Sequence, residues 1–468
     1  MNILIIKLGA KGDVVRTLSI LPALKEKYPD SDIYWLTKEN SAEFLEDNPY
    51  IKKILTTNSR INEKFDILFN FDIDEEACIL ASSIKAEKKL GFYMKDGFPS
   101  AFNLGAEYYL NTLFDDELKK NNKKTYQEMM FDAAELEWKK QHCPIFLNKK
   151  DLKYASNFLE KNKINKEKLI GIHLGASPRW PSKAWHPSQV KDFIIKSRKK
   201  EYNIILFGGP DEINRYSKFA KELEDEGIKI FLNNPQNSNK EFSSLVNLCR
   251  IVVCSDSLAL HVALALHKSA IGLFFCTSPD EVEDYGLLKK LVSPMLKEFF
   301  PEKSDLYDEK LVKSISAQEV LNAVEEIMKQ KKVVNAIILN KNKFLIIKRK
   351  SGLHAGKWAF PGGILEKGET DKDALVREIK EETNLDIKKI GRKIGTYNYK
   401  RENELVTGNS YLIFVNSFDV KINNEIDDFR WVTIEELENL ELAPGIEEEA
   451  LKSLYRLYKH GKNYLQEK

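Results

Sequence analysis

Glu378, Glu381 and Glu382 stand at i, i+3 and i+4, so a helix through them gathers three carboxylates on one face. Three like charges so close repel one another unless a cation sits among them. A hard divalent cation with oxygen ligands meets that need, and Mg²⁺ bound in this way commonly holds substrate phosphates too. The pattern extends upstream as Gly363, five residues, Glu369, seven residues, then Arg377 and Glu378. The chemistry to expect is metal-dependent cleavage of a phosphate compound. The plain alternative is a Glu-rich surface helix, but such a helix does not require Gly363, Glu369 and Arg377 at these offsets. A second set lies near the start, where Lys7-Leu8-Gly9-Ala10-Lys11-Gly12-Asp13 joins an apolar run to a helix. Its two glycines allow a tight turn and close approach to a ligand. This is not the dinucleotide fingerprint, and Asp13 taken alone suits an ordinary helix N-cap.

The acidic helix has its own start and stop signals. Thr370 with Asp373 three residues on is close to a capping box. Asn384 follows the last turn, where a left-handed residue is common and Asn is the usual second choice after Gly. Residues 333–339 and 344–348 read as strands with a turn at 340–342, and residues 429–432 as a late strand before a Glu-rich helix. With Trp358-Ala359-Phe360-Pro361-Gly362-Gly363 leading in, residues 332–465 resemble a Nudix domain, whose box reads G-x5-E-x7-R-E-U-x-E-E-x-G-U with U aliphatic. Ile379 and Leu385 fit the aliphatic positions, and Asn384 stands where the family has Gly. The resemblance implies that Glu378, Glu381 and Glu382 hold Mg²⁺ or Mn²⁺. It implies also that Arg377 and Glu369 orient these ligands, with Gly363 opening the box. Glu425 is a candidate for a further acid; an exposed loop charge is the other reading. A Nudix fold that binds without cleaving is a further alternative.

Upstream of the charged junction at residues 329–332, strand-like and helix-like segments alternate, which predicts parallel sheets covered by helices. Expected strands are residues 2–8, 32–36 and 65–69, then 169–174, 203–207, 229–232, 250–254 and 270–275, with helices from Val14, over 151–162 and over 317–328. The predicted architecture is α/β: two Rossmann-like domains, 1–150 and 151–330, facing a cleft, followed by an α/β/α domain with a mixed sheet at 331–468. In open sheets of this kind ligands sit at the carboxyl ends of strands.

Four ordered patches in this region resemble glycosyltransferase family 9, the heptosyltransferases. They are Ile5 to Leu18 with Asp13 after the second Gly; His173-Leu174-Gly175-Ala176-Ser177 with Ser182-Lys183-Ala184-Trp185; Phe207-Gly208-Gly209-Pro210-Asp211-Glu212; and Asp256-Ser257-Leu258-Ala259-Leu260-His261. The resemblance spans residues 1–328. It implies a GT-B fold and inverting transfer, with Asp13 as general base and Lys183 near the donor's phosphates. Glu212 would contact the donor nucleoside, and Ser177, Asp256, Ser257 and His261 would complete the donor site. Leu258 replaces the family's Gly, and the 178–182 loop differs, so ADP-heptose is only the default donor. Taken alone, Lys183 and Trp185 read as packing between strand and helix, and His261 as a satisfied helix histidine. No metal is expected for transfer, and Asp72-Ile73-Asp74 reads as an exposed strand end rather than a metal site.

The 468 residues carry 73 Lys plus Arg against 71 Asp plus Glu, a net charge of +2. That balance gives no field for nucleic acid. The Cys at 78, 143, 249, 254 and 276 form no metal pattern, and their odd number argues against a disulfide framework. Cys254 and Cys276 lie in apolar runs and read as buried core thiols. The first apolar run is too short for a signal peptide and no run approaches a membrane span, so a cytoplasmic protein with at most peripheral membrane contact is expected. The expected whole is a glycosyltransferase fused to a Nudix pyrophosphohydrolase. It takes a nucleotide-sugar donor, a glycan or lipid-linked glycan acceptor and a nucleoside diphosphate derivative. The alternatives are a nucleotide-sensing Nudix module regulating the transferase, or a Nudix hydrolase carrying a non-catalytic carbohydrate-binding region.

Overall fold

A computed structural model describes residues 1–175, 179–329, 331–350, 355–366, 369–401, 404–437 and 439–443. The chain divides into two compact units, Met1–Glu325 and Glu326–Lys468.

The first unit holds two six-stranded sheets. One contains β1 (Asn2–Ile6), β2 (Asp32–Thr37), β3 (Ile51–Thr56), β4 (Phe65–Asn70), β5 (Ala86–Lys95) and β6 (Phe98–Ala101), in the order β3-β2-β1-β4-β5-β6. All neighbours run parallel except the β5–β6 hairpin. The other contains β7 (Leu169–His173), β8 (Asn203–Phe207), β9 (Phe231–Leu232), β10 (Ile251–Ser255), β11 (Ser269–Phe274) and β12 (Leu288–Val292), in the order β12-β11-β10-β7-β8-β9. In both, the order reverses beside the first strand, between β1 and β4 and between β7 and β10. Those two points part the loops at the strand ends and open a crevice for ligands. The central strands are apolar on both faces, as helices on each side demand: Ile3, Leu4, Ile5 and Ile6 are fully buried, and so are Ile251 and Val252.

Most expected elements are present, displaced by a residue or two. The first helix starts earlier, at Lys11, capped by Ala10, and strand 229–232 is only two residues long. The strands absent from the sequence reading are mainly edge or outer ones such as β3, β5 and β12. Their lysines, of which Lys52, Lys53, Lys88 and Lys289 are exposed, break the apolar run. All five cysteines are buried free thiols. Among the described residues no helix is long and apolar enough to cross a membrane.

The second unit is built on a mixed sheet: β13 (Lys331–Asn340), β14 (Lys343–Arg349), β15 (Trp358–Ala359), β16 (Gly362–Ile364), β17 (Ile387–Arg401), β18 (Glu404–Val415) and β19 (Ile426–Val432). β13 and β18 are parallel, and the other pairings are antiparallel. The Asp371–Thr383 helix packs Ala374, Leu375 and Ile379 on Val334, Ala336 and Ile338 of one sheet face. Ile337 and Leu412 face the other side, among Trp358, Phe360, Ile434 and Leu437. The capping box of Thr370 and Asp373 is formed, and Asn384 closes the helix in the left-handed region at φ 56°. Replacing Asn384 by Gly removes the side-chain cost of that conformation. The Asn384→Gly unit is expected to gain a few tenths to about 1 kcal/mol, read as a higher melting temperature.

Candidate functional site

The first unit contains a cleft of about 1340 Å³ lined from both sheets. Asp13 enters it from the first turn of the Lys11–Thr17 helix, just beyond β1. It is therefore inside the helix and not its N-cap. The close approach that Gly12 allows is to His261: a side chain there would stand 3.0 Å from the imidazole Cδ2. Arg16, one turn on, binds Asp13 Oδ1 at 2.8 Å and lies 3.6 Å over the Tyr126 ring. Burial pushes the Asp13 carboxyl up, but Arg16, Lys7 and His261 together outweigh it and hold it below the usual carboxylate range.

Across the cleft, Lys183 donates to Asp256 Oδ2 at 3.1 Å and to the Asp256 carbonyl at 3.2 Å. His261 Nε2 stands 3.4 Å from Asp256 Oδ1. Burial pushes Asp256 up, yet Lys183 and His261 hold it well below the usual range, so a buried carboxylate fixes both partners. Ser257 precedes the Leu258–Ala265 helix and lies 3.4 Å from His173 Nδ1. Ser257 and Leu258, at that helix start, line the cleft, and the positive end of a helix dipole suits an anion there. Glu212 accepts from the Gly209 amide at 2.7 Å and leaves no room for a side chain at Gly175, whose Cβ would stand 2.3 Å from Oε1. Thus Asp13, Lys183, Glu212, Asp256, Ser257 and His261 all line one cleft. Ser177 lies outside the described residues.

One reading is met and one is corrected. Trp185 is buried, and its indole donates to the Ile315 carbonyl at 2.9 Å, the packing role that its position suggests when taken alone. Asp72 is not an exposed strand end: it is buried, accepts from the Leu8 and Gly9 amides, and stands 3.6 Å from buried Lys7. It ties the end of β4 to the β1 turn and so sets the approach to Asp13. The sequence reading missed Arg16, Tyr126 and Glu281. Only Arg16 carried a signal, its i, i+3 spacing from Asp13.

In the second unit, the Asp371–Thr383 helix sets Arg377 among the acids. Its guanidinium binds Glu369 through two bonds of 2.7 and 2.9 Å, Glu378 at 2.8 Å and Glu381 at 3.3 Å. Glu382 is only 3% exposed. It accepts from the Gly362 amide at 2.7 Å and from Arg349 at 3.0 Å, a partner that the box pattern does not contain. Asp371 anchors the helix start to β18 by accepting from Asn409 and Tyr411, each at 2.7 Å. Burial pushes Glu382 up to about 7; Arg349 and the Gly362 amide oppose this, and Glu378 and Glu425 add to it. Burial likewise pushes Glu378 up, against Arg377 and with Glu381. Glu425 is exposed in its loop but near enough to act on Glu382.

This donor set fits a hard cation in chemistry: crowded carboxylate oxygens whose charge is costly to bury. In the present side-chain arrangement no three acidic, His or Cys groups among the described residues stand at metal-binding range. Arg377 and Arg349 balance the charge instead, so ligation requires Glu378 and Glu381 to turn from Arg377. A side chain at Gly363 would meet the Glu378 carboxylate at 2.3 Å. That atom is the movable end of a flexible chain, so Gly363→Ala is expected to cost little stability. It should nevertheless displace Glu378 and lower hydrolysis about tenfold to a hundredfold, with the melting temperature nearly unchanged.

Comparison with known proteins finds two families along the chain. The profile of glycosyltransferase family 9 (heptosyltransferase) matches residues 57–305, more than half of the chain, and that of the NUDIX domain matches residues 329–454. Lipopolysaccharide heptosyltransferase 1 of Campylobacter coli is 24% identical over 363 residues, spanning 70% of this chain and 99% of that protein. Nucleoside triphosphatase NudI of Enterobacter sp. (strain 638) is 34% identical over 127 residues, spanning 25% of this chain and 90% of that protein. The crystal structure of the glycosyl transferase family 9 from Veillonella parvula DSM 2008 matches with a TM-score of 0.56 at 18% identity, over 70% of this chain and 97% of that one. The first unit has the corresponding GT-B-like fold.

Proposed function

Since this chain belongs to glycosyltransferase family 9 and carries a Nudix domain, we propose that it joins two enzymes: an inverting glycosyltransferase and a metal-dependent pyrophosphohydrolase. Residues 1–150 form the acceptor side, 151–330 the donor side and 331–468 the hydrolase. The observation that carries the transferase reading is the convergence of Asp13 with Lys183, Asp256 and His261 in one cleft. Asp13 takes the proton of an acceptor hydroxyl as it attacks the anomeric carbon. Lys183 and the backbone at Ser257 stabilise the nucleoside diphosphate that leaves. Glu212 contacts the nucleoside of the donor, and Ser177 and His261 complete the donor site. ADP-heptose is the default donor, and a lipopolysaccharide-core or similar glycan, free or lipid-linked, is the acceptor. Activated sugars of this kind place the work in the cytoplasm, with peripheral contact where the acceptor is membrane-bound.

In the hydrolase, Glu378, Glu381 and Glu382 hold Mg²⁺ or Mn²⁺, which when bound neutralises diphosphate oxygens and supplies an activated water. Arg377 and Glu369 orient the carboxylates, and Glu425 adds negative charge beside Glu382. The substrate is a nucleoside diphosphate derivative, a nucleotide sugar of the same pathway being the first choice. A second reading makes this domain a nucleotide sensor for the transferase. It draws on the ion pairs that tie Arg377 to Glu369 and Glu378 and Arg349 to Glu382.

Release of phosphate and nucleotide by the full-length protein with Mg²⁺, over a panel of nucleotide sugars and nucleoside triphosphates, tests this. Cleavage of one nucleotide sugar is the expected result. Cleavage of triphosphates alone, the activity in the name of the NudI relative, breaks the link between the two halves. No cleavage of any compound leaves the sensor.

A further inference from the structure

We infer that Arg16 is the positioning residue for Asp13: laid flat on the Tyr126 ring, its guanidinium fixes one carboxylate oxygen and leaves the other to the acceptor hydroxyl. The inference rests on the reading of Asp13 as general base. Its geometry is a short ion pair, 2.8 Å from Arg16 Nη2 to Asp13 Oδ1, and a 3.6 Å stack on Tyr126. Among the described residues no donor engages Asp13 Oδ2. Arg16 Nε is buried without a hydrogen-bond partner, so its stack on the ring and its pair with Asp13 are what hold it.

The platform is itself locked. The Tyr126 hydroxyl lies 2.9 Å from Thr17 Oγ1, and Thr17 Oγ1 donates to the Asp13 carbonyl at 2.6 Å. The Tyr126 amide donates to the Glu281 carbonyl at 2.9 Å. Tyr126 therefore ties the Asp13 helix to a loop that follows β11, so the base and the donor-side sheet share one support. The charged and titratable groups around Asp13 are Arg16 on its own helix, Lys7 at the end of β1 and His261 from the Leu258–Ala265 helix. Asp74 lies beyond β4, and Tyr109 and Tyr126 face it from the flanking helices. Asp256 and Glu281 also act on the Arg16 guanidinium. The cations outweigh the rest, so Asp13 stays ionised and its transfer activity falls only at low pH. Removing Arg16 raises its proton affinity and moves the acid limb of the pH profile upward.

The test needs no ligand. Full-length protein with ¹³C-labelled aspartate carboxyls is titrated by NMR, and the Asp13 resonance is identified by its loss in Asp13→Asn. Arg16→Gln is expected to raise the Asp13 midpoint by at least about one pH unit, a tenfold change in proton affinity. Arg16→Lys should recover part of it, because an ammonium restores charge without the planar stack. Transfer from ADP-heptose to a lipopolysaccharide-core acceptor should show the same upward move of the acid limb, with kcat lower and donor KM unchanged. An unmoved Asp13 midpoint in folded Arg16→Gln, or in Arg16→Lys if Gln does not fold, overturns the inference. So does a raised donor KM at constant kcat, which would make Arg16 a donor ligand. Full transfer by Asp13→Asn sinks the general-base reading instead, and the titration still reports the pairing.

Discussion

Glu381→Gln/Glu382→Gln in the full-length protein is expected to lower Mg²⁺-dependent phosphate or nucleotide release at least ~10³-fold, about 4 kcal/mol of barrier. Two of three clustered carboxylates lose their charge, while the Arg377 bonds to Glu369 and Glu378 remain to hold the helix. Unchanged release in the double variant would remove the proposed ligand set. The single change Glu382→Gln carries an opposite effect on stability. Burial, helped by Glu378 and Glu425 and opposed by Arg349 and the Gly362 amide, lifts this carboxyl from an ordinary 4.5 to about 7. The folded state thus holds the proton more tightly than the unfolded chain. The stability this contributes is full below about pH 4.5 and lost as pH rises to about 7. Above that, the buried charge costs on the order of 1–3 kcal/mol. Without divalent cation, Glu382→Gln should therefore melt higher than the natural chain at pH 8 and close to it at pH 4.5. Added Mg²⁺ should raise the melting temperature of the natural chain more than that of the variant. A variant that melts lower at pH 8 would mean that the Arg349 pair outweighs the burial cost.

Asp13→Asn is expected to reduce glycosyl transfer ~10²- to 10⁴-fold, with donor affinity unchanged. The amide keeps the shape and can still meet Arg16, but it cannot accept the acceptor's proton. The donor groups Lys183, Asp256 and Ser257 come from other elements of the same cleft and are untouched. The measurement is kcat for transfer from ADP-heptose, with donor binding followed by calorimetry. Unchanged transfer would favour a carbohydrate-binding role for the first unit. Lost donor binding would place Asp13 on the donor side.

What the sequence determined by itself was local or periodic. The apolar runs of β1, β7, β8, β10 and β11 mark the central strands, because a strand buried on both faces has nowhere to put polar residues. Helix geometry turns the spacing of Glu378, Glu381 and Glu382 into one acidic face, and it sets the Thr370–Asp373 capping box and the left-handed Asn384 as well. These follow from rotations along one stretch of chain.

Only the tertiary structure decided what depends on residues far apart in sequence. Arg349 reaches Glu382 across 33 positions, and Asp371 meets Asn409 across 38. The Tyr126 ring carries Arg16, and buried Asp72 holds the turn before Asp13. No periodicity announces such partners, since each is chosen by the desolvation of a charge at a point where strands and helices from separate stretches meet. The edge strands were illegible for the converse reason. With one side in water, β3 and β12 carry lysines that a core strand cannot, and their pairing is set by neighbouring strands and not by their own pattern.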